Sequence, residues 1–161
     1  MSTLDDALNR NVADPVVAWV EATQAFIIRH GRALSMAERT VAADVGVKAI
    51  DRLRILQCAE IPIPLPAVVK SLAERVNLRE AGLQGFAFGY GVWIRSGLTV
   101  DLEIFAHEFR HVHQLERFNG VAEFVCAYLS DVEVQGYRES NFEVDARRAA
   151  RDIRDLHCRR Q

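Results

Sequence analysis

The chain has 161 residues, 50% of them apolar and 26% charged, with a formal net charge of −2. That length suits a single domain with a core of useful size. The charge balance excludes the broad basic surface that phosphate-backbone binding needs, so nucleic acid is not an expected partner. No apolar run approaches the roughly 20 residues of a membrane span, so no membrane is expected either. Cys58, Cys126 and Cys158 are odd in number, widely spaced and without a CxxC pair; neither a disulfide framework nor a cysteine metal knuckle is expected. The start, Met1-Ser2-Thr3-Leu4-Asp5-Asp6, lacks the pattern of a signal peptide, which makes the cytoplasm the expected location.

In chain order, Asp14-Pro15 reads as the opening of a first helix, Asp as N-cap and Pro at the first helical position. Gly31 can end that helix in the left-handed conformation. Ser35-Met36-Ala37-Glu38 has the spacing of a capping box and starts a short helix that ends by Gly46. Residues 52 to 58 alternate polar and apolar at the strand period. Pro62, Pro64 and Pro66 exclude a central strand after it and leave an extended surface stretch or an edge. A helix is expected over 67 to 77. Residues 83 to 95 read as one or two strands, in which Gly85, Gly89 and Gly91 mark a bulge or a close backbone approach.

Ser96-Gly97 is a turn. Helices follow over about 101 to 118, capped by Asp101 or Thr99 and stopped at Asn119-Gly120; over 121 to 135, closed by Gly136; and from Ser140 to about 157. Arg147, Arg148, Arg151 and Arg154 in the last helix are interleaved with Asp145, Asp152 and Asp155, the pattern of a solvated, ion-paired face. The outline is α+β: a mainly helical single domain with a small β-sheet, in which 1–50 form an N-terminal helical part and 51–161 the core.

One helix carries chemistry. His107-Glu108-Phe109-Arg110-His111 is an HExxH motif, whose histidines lie one turn apart on one helix face. Two such imidazoles can reach one zinc ion at about 2.0–2.1 Å. Glu108 is rotated by about 100° from His107, close to the metal without competing as a ligand, and can take a proton from a metal-activated water. A third ligand must come from elsewhere. His113 points to another side of the same helix. His30 and His157 are open alternatives. Glu143 is the better candidate, because an intervening helix can fold the chain back antiparallel and bring it beside the motif. Ser140-Asn141-Phe142-Glu143 is also a capping-box spacing, in which Glu143 would serve only its own helix N-terminus.

His107-Glu108-Phe109-Arg110-His111 followed after one helix by Glu143-Val144-Asp145-Ala146 resembles the gluzincin pattern of zinc metallopeptidases, HExxH with a downstream ExxA. The wider stretch from about 50 to 150 is similar to small bacterial zincin-like proteins of unknown function. Its matching segments are Gly89-Tyr90-Gly91-Val92-Trp93-Ile94-Arg95, His113-Gln114-Leu115-Glu116-Arg117 and Gly136-Tyr137-Arg138. The resemblance implies a zincin-like fold, Zn2+ held by His107, His111 and Glu143, and Glu108 as general base. It selects zinc over manganese or iron more than the ligand chemistry does.

Two departures stand out. Many gluzincins carry an aspartate shortly after the glutamate to buttress a zinc histidine; four positions on, this chain has Arg147, and Asp145 is expected to face another direction. No later histidine takes the oxyanion position of larger members. Tyr137 is the candidate for that role, a tyrosine packed in the core being the other reading. In zincins an edge strand beside the metal helix pairs with an extended peptide, a role open to residues 86 to 95. The expected function is peptide-bond hydrolysis on a peptide or protein substrate. The alternatives are a non-catalytic zincin-like metal-binding or interaction module, and a regulator with a helix-turn-helix over 36 to 54, against which the strand alternation and the acidic balance argue.

Overall fold

The structure is a computed structural model that describes residues 2–76, 78, 82–97 and 101–159, with the backbone alone over 2–12. The described elements are α1 (Ser2–His30), α2 (Met36–Asp44), a 3-10 turn (Ile50–Arg52), β1 (Arg54–Cys58), α3 (Ala67–Arg75), β2 (Gly85–Phe88), β3 (Gly91–Arg95), α4 (Leu102–Leu115), α5 (Val121–Gln135) and α6 (Asn141–Arg159). The chain is thus a mainly helical single domain, with 63% of the described residues in helices, and a small sheet. No described helix is long and apolar enough to cross a membrane.

The sheet has the order β1-β3-β2, with β1 parallel and β2 antiparallel to the central β3. Alternation along β3 divides the core in two, because successive side chains leave opposite faces. Val92 and Ile94 join the cluster built with Val41, Phe105, Phe109 and Val112, so α2, α4 and α6 cover that face. Trp93 joins Trp19, Ile27, Val69, Phe88 and Val125, so α1, α3 and α5 cover the other. The central strand is buried on both sides and the sheet is the middle of three layers. Residues 1–50 supply wall to both clusters through α1 and α2, and so belong to the same core as the rest.

Most expected elements form, with instructive exceptions. Helix α1 does not open at Asp14-Pro15; it begins at Ser2 and runs through Pro15. The missing proline N–H removes one helical hydrogen bond. Val16, Trp19, Val20, Thr23 and Ile27 hold the segment regardless, as a buried stripe at helical spacing. The buried part of α1 therefore starts where the local signal lies, and further turns precede it. Gly31 ends α1, but not in a left-handed conformation, which is confined to other glycines. A Cβ there would lie 2.6 Å from the Ile27 carbonyl oxygen and 2.9 Å from that of Ile55. Gly31 is needed for the close approach that lets Arg32 pair with Ile55.

Residues 36–54 form α2, a 3-10 turn and the start of β1. No second helix follows α2, so a helix-turn-helix is not formed. Helix α4 ends at Leu115 rather than 118; the Glu116 carboxylate after it accepts the Lys48 and Ala49 N–H groups at 2.8 Å. Asp101 caps α4 by accepting the Ile104 N–H. Thr99, the other expected cap, and residue 77 lie outside the described residues.

The Ser35–Glu38 capping box is complete, and Arg32 adds a bidentate pair to the Glu38 carboxylate at 2.7 and 2.8 Å. The hydrogen bond from Arg32 holds Glu38 below its ordinary pKa, against the opposing effect of burial and helped by the Ser35 N–H. We expect Glu38→Gln to lower stability by about 1 kcal/mol at pH 7, since half of Arg32 is exposed and the ion pair is screened. A lowered native pKa stabilises only above the unfolded-state value near 4.3. The difference between wild type and variant in urea melts is full above that pH and is lost as the pH falls below it.

Candidate metal centre

The α4 side chains divide by face. Phe105, Phe109 and Val112 enter the core, and His107, Glu108 and His111 line a cavity at the β2 edge of the sheet. Helix α5 carries the chain away, and α6 returns against α4, bringing Glu143 over the two histidines.

The His107 and His111 Nε2 atoms lie 3.2 Å apart. Glu143 Oε2 is 3.3 Å from His107 Nε2, and its Oε1 is 3.3 Å from His111 Nε2. Two imidazole nitrogens facing each other at that distance, under a carboxylate, require a proton or a cation between them. Tetrahedral zinc with ligands at about 2.0–2.1 Å would hold its ligand atoms roughly 3.3–3.4 Å apart, so the donor set fits the ion in both kind and spacing. Among the described residues these three form a group able to hold a metal.

The electrostatics say the same. Burial alone would lower His111, but the buried Glu143 carboxylate overrides it and pushes the imidazole up to about 9. Glu143 is 2% exposed. Burial should raise its pKa, yet hydrogen bonds from His107 and His111 hold it well below the usual carboxylate range. The site thus demands positive charge. Glu108, also buried, is pushed up by desolvation, opposed by the charges of His107 and His111 and by a hydrogen bond from the Ala87 N–H.

Glu143 is not spent on capping α6. Asp131 of α5 does that work: it accepts from Ser140 Oγ at 2.8 Å, from the Asn141 N–H at 2.6 Å and from Asn141 Nδ2 at 2.7 Å. The glutamate is left free to turn inward. The remaining histidines lie apart from this group. His113 Nδ1 is 2.7 Å from the Gly46 carbonyl oxygen, His30 stacks against Phe26 on α1, and His157 is exposed at the end of α6.

Two residues around the group were not anticipated. Tyr128 of α5 donates to Glu143 Oε1 at 2.6 Å, and its ring stands edge-on to His111. Burial raises its pKa well above the ordinary value, so the phenol keeps the proton it donates. Gln114 gives its Nε2 hydrogens to the Phe142 carbonyl oxygen at 2.9 Å and to Asp145 Oδ2 at 2.8 Å. Its Oε1 must therefore be the acceptor facing His111 Nδ1, at 2.8 Å. The proton on His111 is thereby fixed at Nδ1, leaving Nε2 as the ligand atom.

Asp145, expected to face another direction, makes no direct hydrogen bond to a histidine among the described contacts. It takes a bidentate pair from Arg110 at 2.7 and 3.0 Å, and reaches the histidine through Gln114. Arg147 takes a different direction; its guanidinium donates to the Arg138 carbonyl oxygen. If the group holds zinc, replacing Gln114 by Leu is expected to weaken its binding roughly 10–100-fold while leaving the helical circular-dichroism signal intact. Competition titration against a chelator measures it.

Tyr137 lines the same cavity near Glu143, and burial raises its pKa too. Gly85 of β2 faces α4. A Cβ there would lie 3.0 Å from Glu108 Cγ and 3.1 Å from its Oε1, so the absence of a side chain is what lets the edge strand approach the glutamate.

No known protein family, curated protein or solved structure matches the chain. The reading of the site rests on its residues and their arrangement.

Proposed function

We propose that the protein is a zincin-like, zinc-dependent hydrolase that cleaves peptide bonds, with His107, His111 and Glu143 as metal ligands and Glu108 as general base. The observation that carries this reading is the convergence of three donor atoms, from helices α4 and α6, within 4.8 Å of one another beside a buried carboxylate. Zinc, when bound, would polarise a carbonyl and lower the pKa of water to about 7.

The chain's own residues supply the rest. Glu108 takes a proton from the attacking water and returns it to the leaving amine, at a carboxylate whose place is set by Gly85 and the Ala87 N–H. Tyr137, which lines the cavity beside Glu143, would donate to the developing oxyanion. Tyr128 would hold the Glu143 carboxylate in place, its hydroxyl donating to Oε1 at 2.6 Å.

Strand β2 offers a free edge among the described strands. Its hydrogen-bonded pairs with β3 include Gln84 with Arg95. By alternation, Gly85 and Ala87 direct their N–H and C=O groups outward. An extended peptide can pair there, sharing the Ala87 N–H with Glu108. The test is metal analysis joined to cleavage of a peptide library, with Glu108→Gln as the control.

A further inference from the structure

The cavity that reaches the histidines is larger than the chemistry requires. It continues past the β2 edge between α1, α3 and α5, walled by Trp19, Val69, Leu72, Phe86, Val125 and Leu129. Every ionisable side chain that lines it among the described residues belongs to the end where the triad sits: His107, Glu108, His111, Tyr128, Tyr137 and Glu143. Among the described residues the far end offers no partner for a charge, so a charged group entering it would lose its hydration without compensation from them.

Its volume of about 140 Å³ decides what can enter. A cavity of about 150 Å³ lined by aliphatic and aromatic side chains stays dry and takes up benzene. That volume includes the end where the triad sits, so one aromatic ring, or one branched aliphatic side chain, is the most the cavity can take. The wall is also fixed in place. Trp19 donates its indole N–H to the Ile63 carbonyl oxygen at 3.0 Å, and its ring meets Phe88 edge-on at 5.1 Å. Apolar space left unfilled costs a fold stability, and here it adjoins the triad instead of being filled.

From this we infer that the cavity is a recognition pocket for a single bulky, uncharged apolar side chain of the substrate, aromatic or branched aliphatic, held next to the bond that is cleaved. The inference rests on the hydrolase reading for the word substrate, but the pocket can be tested without catalysis.

Zinc-loaded protein is titrated calorimetrically with acetohydroxamate, hydrocinnamic hydroxamate and succinic monohydroxamate, which share the metal-binding head and differ in the side group. The hydrocinnamic compound will bind about 10–100-fold tighter than acetohydroxamate, the gain expected for burying one ring. The succinic compound will gain nothing. Equal affinity for the phenyl and methyl compounds would overturn the assignment. Leu129→Trp, which fills the cavity from α5, will erase the phenyl advantage and leave acetohydroxamate binding unchanged. Val69→Phe, from α3, makes the same test should the first variant fail to fold.

Toluene added to metal-free protein will raise the melting temperature of wild type and not of the filled variants; no rise in wild type counts against the pocket. Ring binding without peptide cleavage leaves the pocket standing and removes the hydrolase. Cleavage that ignores the choice between phenylalanine and aspartate beside the bond leaves the hydrolase standing and removes the pocket.

Discussion

Titrating the metal-free protein with zinc at neutral pH will load a single ion and raise the melting temperature, and Glu143→Ala will abolish both effects. The size of the shift follows from mass action. Free zinc at 100 times its Kd adds about 2.7 kcal/mol to the folded state, which in a chain of this length corresponds to roughly 5–10 °C. Glu143→Ala removes the carboxylate that is 3.3 Å from each histidine and the acceptor of the Tyr128 hydroxyl. The metal-free variant will melt below the metal-free wild type, because the buried Tyr128 hydroxyl loses its acceptor and the histidines their carboxylate. The response to zinc is therefore read against each protein's own metal-free melting temperature. A Glu143→Ala protein that still takes up stoichiometric zinc with an undiminished shift would remove Glu143 as a ligand and return it to a structural role.

What could be read in advance, and what could not, divides along the range of the forces involved. The HExxH spacing is a statement about one turn of one helix, and the paired Nε2 atoms of His107 and His111 follow from it. Glu143 needed the fold to decide. Its capping-box spacing offered a local role, and Asp131, reaching over from α5, took that role away. Gln114 stands three residues after His111 on the same face, a spacing at which helix side chains meet, so its contact with the imidazole was accessible from spacing alone. Its fixed orientation was not, since that depends on Asp145 and Phe142 from α6. Tyr128 carried no local signal. It meets Glu143 only because α5 and α6 pack together. The start of α1 misled for the opposite reason: Asp14-Pro15 is a valid opening, but burial of the Val16–Ile27 stripe holds a helix that continues through it.

Glu108→Gln separates the two halves of the proposed function. Glutamine keeps the shape of the side chain against Gly85 and retains an oxygen that can accept the Ala87 N–H, so the close approach of β2 to α4 survives. It cannot accept a proton. Hydrolysis of any peptide that wild type cleaves will fall by about 10²–10⁴-fold, while zinc affinity stays within about threefold, because the variant leaves all three ligands in place. Tyr137→Phe divides the readings of that tyrosine: a fall of about 10²–10³-fold in kcat with unchanged zinc binding fits a donor to the oxyanion, whereas a rate unaltered beside a lowered melting temperature fits a core residue. Wild-type protein that binds zinc tightly yet cleaves nothing in the library, with Glu108→Gln indistinguishable from it, would leave the metal centre intact and make it that of a non-catalytic module. The buried position of Glu108 argues for the first outcome. A carboxylate held 7% exposed, under a glycine that leaves it room and without a basic side chain paired to it among the described contacts, costs stability that a purely structural zinc site would not need.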